Sequence, residues 1–342
     1  MILLRYLLFP FAVLYGLITG LRNFLFDKGI LQSHSFSVPI IAVGNLNVGG
    51  TGKTPQIEYL IRLLSSKYNV ATLSRGYKRK SSGFILADAH STAELLGDEP
   101  FQMHLKFPSI KVAVDADRKN GIEKLMDLTK KPDVILLDDA FQHRKVKAGF
   151  YILLTAYNDL FCDDFMLPTG MLREPRSGAE RADLIIVTKC LASLTETEQE
   201  SIRKRIGLNV PVYFSAINYD DKVYNETETK TVNEVQTTAK LLLAGIANPK
   251  PFFTYLQSKD DEQMVFSDHH HFSASDIKNI QDKAKNKLTV TTEKDYVRLK
   301  EYHLNSLFYL PIQSNFIPNS VNSSADFDKT ILNYVGTSSG NR

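Results

Sequence analysis

The feature that most constrains the fold is a glycine-rich segment, Gly44-Asn-Leu-Asn-Val-Gly-Gly-Thr-Gly-Lys-Thr54, which directly follows the apolar stretch 38–43. A helix-like stretch follows it, over residues 54–64. Strand, glycine-rich turn and helix in this order form the context of a Walker A phosphate-binding loop. Glycines let consecutive backbone N–H groups turn toward phosphates, where a side chain would block the approach. The segment therefore predicts a nucleoside triphosphate site rather than an ordinary glycine-rich turn.

The expected phosphate-loop contacts come from eight consecutive residues: Asn47, Val48, Gly49, Gly50, Thr51, Gly52, Lys53 and Thr54. Lys53 is expected to reach the β- and γ-phosphates, and the Thr54 hydroxyl to bind Mg²⁺. Asn47 stands where such loops usually have their first glycine. Asparagine tolerates the left-handed backbone region better than most residues, so we expect this position to remain compatible with the loop.

A second motif, Asp133-Val-Ile-Leu-Leu-Asp-Asp139, predicts the Walker B strand. An apolar strand that ends in two carboxylates places at least one of them at the sheet edge beside the metal. Asp138 is the position in register, with Asp139 next to it. Buried strands also end in a single aspartate for structural reasons alone, but a doublet after a phosphate loop favours a Mg²⁺ site.

Short apolar strands alternate with helical stretches along most of the chain, which predicts an α/β fold with a mostly parallel sheet covered by helices on both faces. A second set of strands begins near Val212, after a polar helix-like segment at 195–205. We expect four parts: an N-terminal helix (1–28), a P-loop domain (29–215), a linker or hairpin (216–240) and a smaller α/β domain (241–335). A last helix over 325–335 is expected to end at Gly336, with the remaining tail loose.

The N-terminus differs from the rest, because no charge interrupts the chain from Tyr6 to Leu21 and basic residues flank this run. It is short for a spanning helix, which needs about 20 apolar residues. A membrane-anchored or interfacial helix is the preferred interpretation. A buried core helix and a signal peptide are the alternatives, although no A-x-A cleavage pattern precedes the phosphate loop.

Composition excludes several classes. Lys and Arg number 41 against 38 Asp and Glu, so the net charge of 41 − 38 = +3 is too small for a protein that coats nucleic acid. Two cysteines, Cys162 and Cys190, are too few for a disulfide framework or a cysteine-type zinc site and fit a reducing compartment. No nucleic-acid partner is therefore expected.

The expected nucleotide is ATP. A GTPase of this architecture carries Asn/Thr-Lys-x-Asp after a late strand, and here the matching segment is Thr188-Lys-Cys-Leu191. Leu191 stands at the position of the aspartate that recognises guanine, and a hydrocarbon side chain cannot accept hydrogen bonds from the N–H groups of the base.

Polar clusters follow several strands, at the edge where such folds bind ligands. Their arginines, Arg75, Arg118 and Arg173, suit a phosphorylated substrate, and Asp98 is chemically adequate to deprotonate an alcohol acceptor. His143 and Glu174 belong to the same clusters. Each residue alone also has an ordinary structural interpretation, as a helix cap, a solvated charge or a loop histidine. In the second domain, Asp268 to His271 could bind a metal, although consecutive histidines suit one ion poorly, and Thr292-Glu-Lys-Asp295 is ambiguous alone.

Taken together, the motifs resemble those of the tetraacyldisaccharide 4'-kinases. The matching segments, in family order, are Asn47-Val-Gly-Gly-Thr-Gly-Lys-Thr-Pro55, Ser74-Arg-Gly-Tyr77, Gly97-Asp-Glu-Pro100, Asp138-Asp-Ala-Phe-Gln-His-Arg144, Leu167-Pro-Thr-Gly-Met-Leu-Arg-Glu-Pro175, Asp268-His269 and Thr292-Glu-Lys-Asp295. The ordered combination is specific, whereas single motifs other than the phosphate loop are not. Within this family Asn47 is ordinary.

The resemblance implies a membrane-associated kinase of lipid A and lipopolysaccharide assembly at the cytoplasmic face of the bacterial inner membrane. Such enzymes use ATP and Mg²⁺ to phosphorylate the 4'-hydroxyl of tetraacyldisaccharide 1-phosphate, which yields lipid IVA. The resemblance further implies that Asp98 and His269 act as a base pair across two domains, with Lys53 in the reaction centre. It implies functional roles for Arg75, Arg118, Asp138, Asp139, His143, Arg173 and Glu174, and no obligate protein partner.

Two other classes remain as alternatives at this point. In nucleotide-driven switches and metallochaperones, a helix also follows a GGTGKT segment. This alternative predicts a preference for GTP, and Leu191 argues against that preference. A soluble P-loop kinase of a small metabolite would use the N-terminal segment as part of its core.

Overall fold

The computed structural model describes residues 2–285, 287–319 and 322–339. Within them it has two sheets, each covered by helices. The helices are α1 (Ile2–Asp27), α2 (Lys53–Leu64), α3 (Ala93–Leu96), α4 (Asp98–Lys106), α5 (Arg118–Met126), α6 (Glu196–Ile206), α7 (Val232–Gln236), α8 (Lys250–Leu256), α9 (Ala274–Lys283), α10 (Glu293–Leu299) and α11 (Ser324–Ser339). Short 3₁₀ turns lie at Phe161–Asp163, Arg176–Arg181 and Lys300–Tyr302.

The strands that form the larger sheet are β1 (Ile40–Asn45), β2 (Val70–Ser74), β3 (Ile85–Leu86), β4 (Lys111–Val114), β5 (Val134–Asp138), β6 (Phe150–Ala156), β7 (Leu184–Thr188) and β8 (Val212–Tyr219). The smaller sheet contains β9 (Lys222–Tyr224), β10 (Thr229–Thr231), β11 (Lys240–Ala244), β12 (Glu262–Val265), β13 (Leu288–Thr292) and β14 (Leu307–Leu310). The chain then returns to the larger sheet with β15 (Ile312–Phe316).

The larger sheet has the order β15-β8-β7-β6-β1-β5-β2-β4-β3. Its strands from β8 to β4 run parallel, and only the edge strands β15 and β3 are antiparallel to their neighbours. Strands β1, β2, β5 and β7 are buried along their whole length, as expected for a parallel sheet covered on both faces. Because β1 pairs with β5 in parallel, the phosphate loop and the Asp138-Asp139 doublet emerge at one edge of the sheet.

The smaller sheet, β10-β9-β14-β13-β11-β12, combines four parallel strands with an antiparallel hairpin. The hairpin, β9 and β10, lies within the segment expected to be a linker or hairpin at 216–240, and it forms one end of this sheet. Its core packs around β11 and β13, with Leu242, Val290 and Phe308 fully buried. The expected second α/β sheet is therefore present.

The chain is divided between the sheets differently from the sequence-based expectation. Strand β8, expected to open the second set, pairs in parallel with β7 of the larger sheet. Residues 312–319 and 322–339, expected in the smaller domain and in a loose tail, also lie with the larger one: β15 pairs with β8, and α11 buries Phe327, Ile331 and Val335 in the core beside α2. Gly336 does not end the last helix, which continues to Ser339.

Candidate functional site

The phosphate loop connects β1 to α2 and is held from both sides. Gly49 and Gly52 have positive φ values of 112° and 79°, which L-residues adopt with strain. The backbone N–H of Val48 donates to the Met171 carbonyl over 2.7 Å. The Thr188 hydroxyl at the end of β7 donates to the Thr51 carbonyl over 2.7 Å. The Lys189 ammonium donates to the Gly50 carbonyl, so the loop conformation is fixed by neighbouring strands.

Asn47 begins the loop with a backbone conformation that differs from the one its residue type would tolerate. It does not adopt a left-handed conformation; its backbone forms an antiparallel bridge with Leu172, and its amide donates to Asp164 over 2.9 Å. It therefore ties the start of the loop to the segment that precedes Arg173. The remaining loop residues Thr51, Lys53 and Thr54 occupy the end of the loop and the first turn of α2, as expected.

Two carboxylates lie opposite this turn. Lys53 Nζ lies 3.0 Å from Asn45 Oδ1 and 3.7 Å from Asp139 Oδ1. Asp138, the last residue of β5, is buried, and burial together with the negative charges of Glu99 and Asp139 raises its pKa to about 7. Burial alone would also raise the pKa of Asp139, but Lys53 and Arg173 lower it overall. Asp139 has a positive φ of 47°, a backbone strain typical of functional sites.

These residues fit a Mg²⁺ ion. Asp138 Oδ1 is buried and has no hydrogen-bond partner, although a buried carboxylate oxygen normally has one. Mg²⁺ is commonly held by one or two carboxylates, water and substrate phosphates rather than by an all-protein cage. The part of the chain that the structure describes contains no cluster of three or more His, Cys, Asp or Glu suited to a metal. Thr54, Asp138 and Asp139 would hold the ion.

The three arginines have different environments. Arg173 binds Asp139 with two hydrogen bonds of 2.9 and 3.2 Å and also reaches Asn45. Arg118, at the start of α5, is buried with its Nε unpartnered, and burial lowers its pKa although Asp138 and Asp139 oppose this effect. Arg75 is exposed and close enough to Arg118 for their charges to interact. Arg118 and Arg75 are therefore the two available for an anionic ligand.

His143 and Glu174 lie behind this site. Burial and the charge of Arg118 lower the pKa of His143 to about 4, so its ring is neutral near pH 7. Glu174 is buried and accepts hydrogen bonds from Asn23, Gln142 and Arg181, over 2.6 to 2.8 Å. With its oxygens engaged in this way, Glu174 supports the site rather than facing it.

The second cluster of charged side chains joins the two units. Asp98 is the first residue of α4 in the larger unit, and His269 follows β12 in the smaller one. His269 Nδ1 lies 3.1 Å from Asp98 Oδ2, so the structure brings together two residues 171 positions apart. Burial alone would raise the pKa of Asp98, but the His269 hydrogen bond and the charges of Arg298 and Lys294 lower it overall.

Sequence reasoning missed three residues in this region. Arg298 Nε lies 3.2 Å from Asp98, Lys294 Nζ lies 3.0 Å from His269 Nε2, and Glu99 is close enough to Asp138 to raise its pKa. Lys294 and Arg298 are one helical turn apart on α10, and Thr292 caps that helix by accepting from the Asp295 N–H. The sequence signal for this helix was the motif Thr292-Glu-Lys-Asp295, which follows a strand and is ambiguous by itself.

The other candidates are resolved by their contacts. Asp268 pairs with Lys294 at 3.0 Å, and His270 pairs with Asp276 at 3.0 Å, so the histidine run does not form a metal site. Leu191, which replaces the aspartate that reads guanine, is exposed.

Over residues 7–27, helix α1 docks beside the site through one face. The Tyr15 hydroxyl donates to the Arg173 carbonyl over 3.0 Å, and Asn23 donates to Glu174 over 2.6 Å. The opposite face exposes a continuous set of large apolar side chains: Leu7, Phe9, Phe11, Val13, Leu14, Leu17, Ile18, Leu21 and Phe24. Residues 7–27 form a helix long and apolar enough to cross a membrane, and only 11% of its most apolar 18-residue stretch is buried. A core helix is therefore excluded.

Comparison with known proteins gives a consistent result. The family model described as LpxK, tetraacyldisaccharide-1-P 4'-kinase, matches residues 4–332. Tetraacyldisaccharide 4'-kinases from Flavobacterium psychrophilum and Bacteroides thetaiotaomicron are 64% and 46% identical to the chain. The alignments cover 99% and 96% of this chain, and 99% and 92% of the relatives.

Among solved structures, "apo" form LpxK from Aquifex aeolicus in complex with ATP superposes with a TM-score of 0.79. It is 31% identical, and the match covers 97% of this chain and 99% of that one. The matches extend across both sheets and α1. This chain belongs to the tetraacyldisaccharide 4'-kinase family.

Proposed function

We propose that the cleft between the two sheets transfers the γ-phosphoryl group of ATP to the 4'-hydroxyl of tetraacyldisaccharide 1-phosphate, and that Asp98 accepts the hydroxyl proton. The observation that carries this proposal is the Asp98–His269 contact of 3.1 Å between the units, on the phosphate-loop side of the larger sheet. Membership of the kinase family supports the reaction class.

Each group has a physical role in this scheme. The alcohol oxygen attacks the γ-phosphorus, its proton passes to Asp98, and ADP leaves. Because the pKa of Asp98 is lowered, the carboxylate is ionised and ready to accept near pH 7. Lys53 and the neighbouring arginines neutralise charge on the transferred group, and Mg²⁺ when bound adds charge neutralisation between the phosphates. His269 positions the carboxylate by a hydrogen bond.

The lipid acceptor also requires a membrane-bound enzyme. A disaccharide with four acyl chains stays in the bilayer, and the apolar face of α1 provides a surface that enters the same interface. The opposite face of α1 contacts Arg173 and Glu174, so membrane contact and site are directly connected. This arrangement supports a helix that lies in the interface, at the cytoplasmic face of the inner membrane where ATP is available.

The proposal is tested with the purified full chain in detergent micelles containing Mg²⁺, γ-labelled ATP and tetraacyldisaccharide 1-phosphate. Thin-layer chromatography follows the label, with labelled GTP as the control nucleotide. We expect label in the lipid from ATP, and little from GTP. Nucleotide hydrolysis without labelled lipid would contradict the assigned acceptor.

A further inference from the structure

The contacts of His269 on its other side determine how this ring can act. His269 Nε2 lies 3.0 Å from Lys294 Nζ, while Nδ1 faces Asp98. Lys294 also pairs with Asp268 Oδ1 at 3.0 Å, and the side chain of Lys294 is only 19% exposed. The ammonium is thereby held between a carboxylate and the ring. Tyr77 packs edge-on against the ring, with 5.5 Å between the centroids.

An ammonium group donates hydrogen bonds and cannot accept them. The Nε2 atom opposite Lys294 must therefore present its lone pair, and a neutral ring then carries its single proton on Nδ1. That proton points to Asp98 Oδ2. The position of one lysine thus determines which nitrogen of His269 is protonated.

We infer that Lys294 is a positioning residue that holds His269 as the neutral Nδ1–H tautomer, so that the ring donates to Asp98 without carrying a full charge. This inference rests on the proposed function of Asp98. A donating neutral ring orients the carboxylate, whereas an imidazolium would form an ion pair with it and weaken it as a proton acceptor.

The backbone around His269 and Lys294 supports this role. His269 has a positive φ of 57°, an uncommon conformation for a residue with a side chain. Lys294 lies in the first turn of α10, and the residue before it, Glu293, pairs at 2.8 Å with Lys106 at the end of α4. Helix α4 also carries Asp98. The lysine and the carboxylate are thereby held on two helices that contact one another.

The direct test is the ¹⁵N chemical shifts of the histidine rings in the ¹⁵N-His-labelled full chain in detergent micelles, with His269 assigned from the spectrum of His269→Ala. We expect Nδ1 to carry the proton in the wild type. In Lys294→Met we expect the Nδ1–H form to be partly replaced by Nε2–H or by the charged ring. Arginine also only donates, so Lys294→Arg is expected to restore the Nδ1–H form.

Activity provides the second measurement. We expect Lys294→Met to lower kcat by about 10- to 100-fold, by analogy with the loss of a partner that orients a metal-binding histidine. The KM for ATP should change little, and Lys294→Arg should recover most of kcat. Lys287→Met is the matched control, because Lys287 pairs with Glu262 on the smaller sheet, away from the site.

The inference is overturned if wild-type His269 carries its proton on Nε2. It is also overturned if Lys294→Met lowers kcat while the tautomer stays unchanged. If Asp98→Asn is inactive but wild-type His269 carries its proton on Nε2, the inference about Lys294 fails and the proposed function remains supported. A fully active Asp98→Asn with the expected tautomer would instead remove the base role of Asp98.

Discussion

At the scale of single residues, Asp138 is the group in the site whose charge changes near neutral pH. Its pKa is raised to about 7, mainly by burial, so a large fraction is protonated in the free enzyme near neutrality. A metal binds the deprotonated carboxylate, so binding releases a proton and becomes tighter as the pH rises through 7. We therefore expect the affinity for Mg²⁺ and ATP to increase from pH 6 to pH 8.

Isothermal titration calorimetry in two buffers of different ionisation enthalpy measures this proton release directly. Asp138→Asn removes the titrating group and should abolish the release together with most of the Mg²⁺ dependence. Asp282→Asn, at an exposed position on α9, is the control. Equal proton release in Asp138→Asn and the wild type would show that another group titrates on binding.

Residues with local roles were predictable from the sequence, and those defined by distant partners were not. Lys53, Thr54 and Asp138 could be assigned because the phosphate loop and the Walker B strand are continuous motifs whose geometry the backbone fixes locally. The contacts of Lys294 and Arg298 with the His269–Asp98 pair depend on how α10 packs in the folded chain, which the sequence alone does not show. For Glu174 the resemblance implied a functional or supporting role, and its hydrogen bonds and ion pair with Asn23 and Arg181 became visible only in the fold.

At the scale of elements, α1 combines two functions on opposite faces. Replacing Leu17, Ile18 and Leu21 by Gln removes apolar area from the exposed face and leaves the contacts of Tyr15 and Asn23 intact. We expect this variant to sediment less with lipid vesicles, because burial of apolar area drives interfacial binding. ATP affinity should not change.

Vesicle sedimentation and ATP titration of the same preparation check both parts of this prediction. Substitutions are preferable to deletion of residues 1–26, because deletion also leaves the buried Glu174 without Asn23. Unchanged vesicle binding would contradict the membrane role of α1. Lost ATP affinity would mean that the exposed face also supports the phosphate loop.

A buried ion-pair network joins three further elements, α2, α4 and α10. Lys106 lies 2.7 Å from Glu58 and 2.8 Å from Glu293, and burial together with the charge of Glu58 raises the pKa of Glu293 to about 7 from its ordinary 4.5. The folded state therefore binds this proton more tightly than the unfolded state does. The contribution of Glu293 to stability is present below pH 4.5 and is lost as the pH rises through about 7.

We expect Glu293→Gln to remove this part of the pH dependence, which is on the order of 3 kcal/mol in the free energy of unfolding. Urea unfolding at several pH values between 4.5 and 8 measures it in the wild type and the variant. Asp138 contributes to the pH dependence of unfolding with the same sign in the wild type and in Glu293→Gln, so its contribution cancels when the two proteins are compared. Glu301→Gln, at an exposed position, should behave like the wild type, and an unchanged slope in Glu293→Gln would refute the assignment.

At the scale of the whole molecule, the larger unit is built from both ends of the chain. The alternation of strands and helices predicted the parallel sheet and the second α/β unit, because each βαβ step is a local pattern. The return of β15 to β8 and of α11 to the core was not predictable in this way, since an antiparallel edge strand is added across almost a hundred residues. The smaller unit is thus inserted between β8 and β15.

The chain passes from the larger unit to the smaller one after β8 and returns before β15. Asp98 and His269 meet across the cleft between the units. The central claim is that these two residues act as one pair. A double-mutant cycle on single-turnover lipid phosphorylation tests it most directly, with the wild type, Asp98→Asn, His269→Ala and the double variant, each checked for an unchanged thermal transition.

We expect Asp98→Asn to slow phosphoryl transfer by about 10²- to 10⁴-fold, the contribution typical of a general base. His269→Ala should cause a smaller loss, and the double variant should be no slower than Asp98→Asn, because residues that act as a unit are not additive. Losses that multiply in the double variant, or a wild-type rate for Asp98→Asn, would contradict the account.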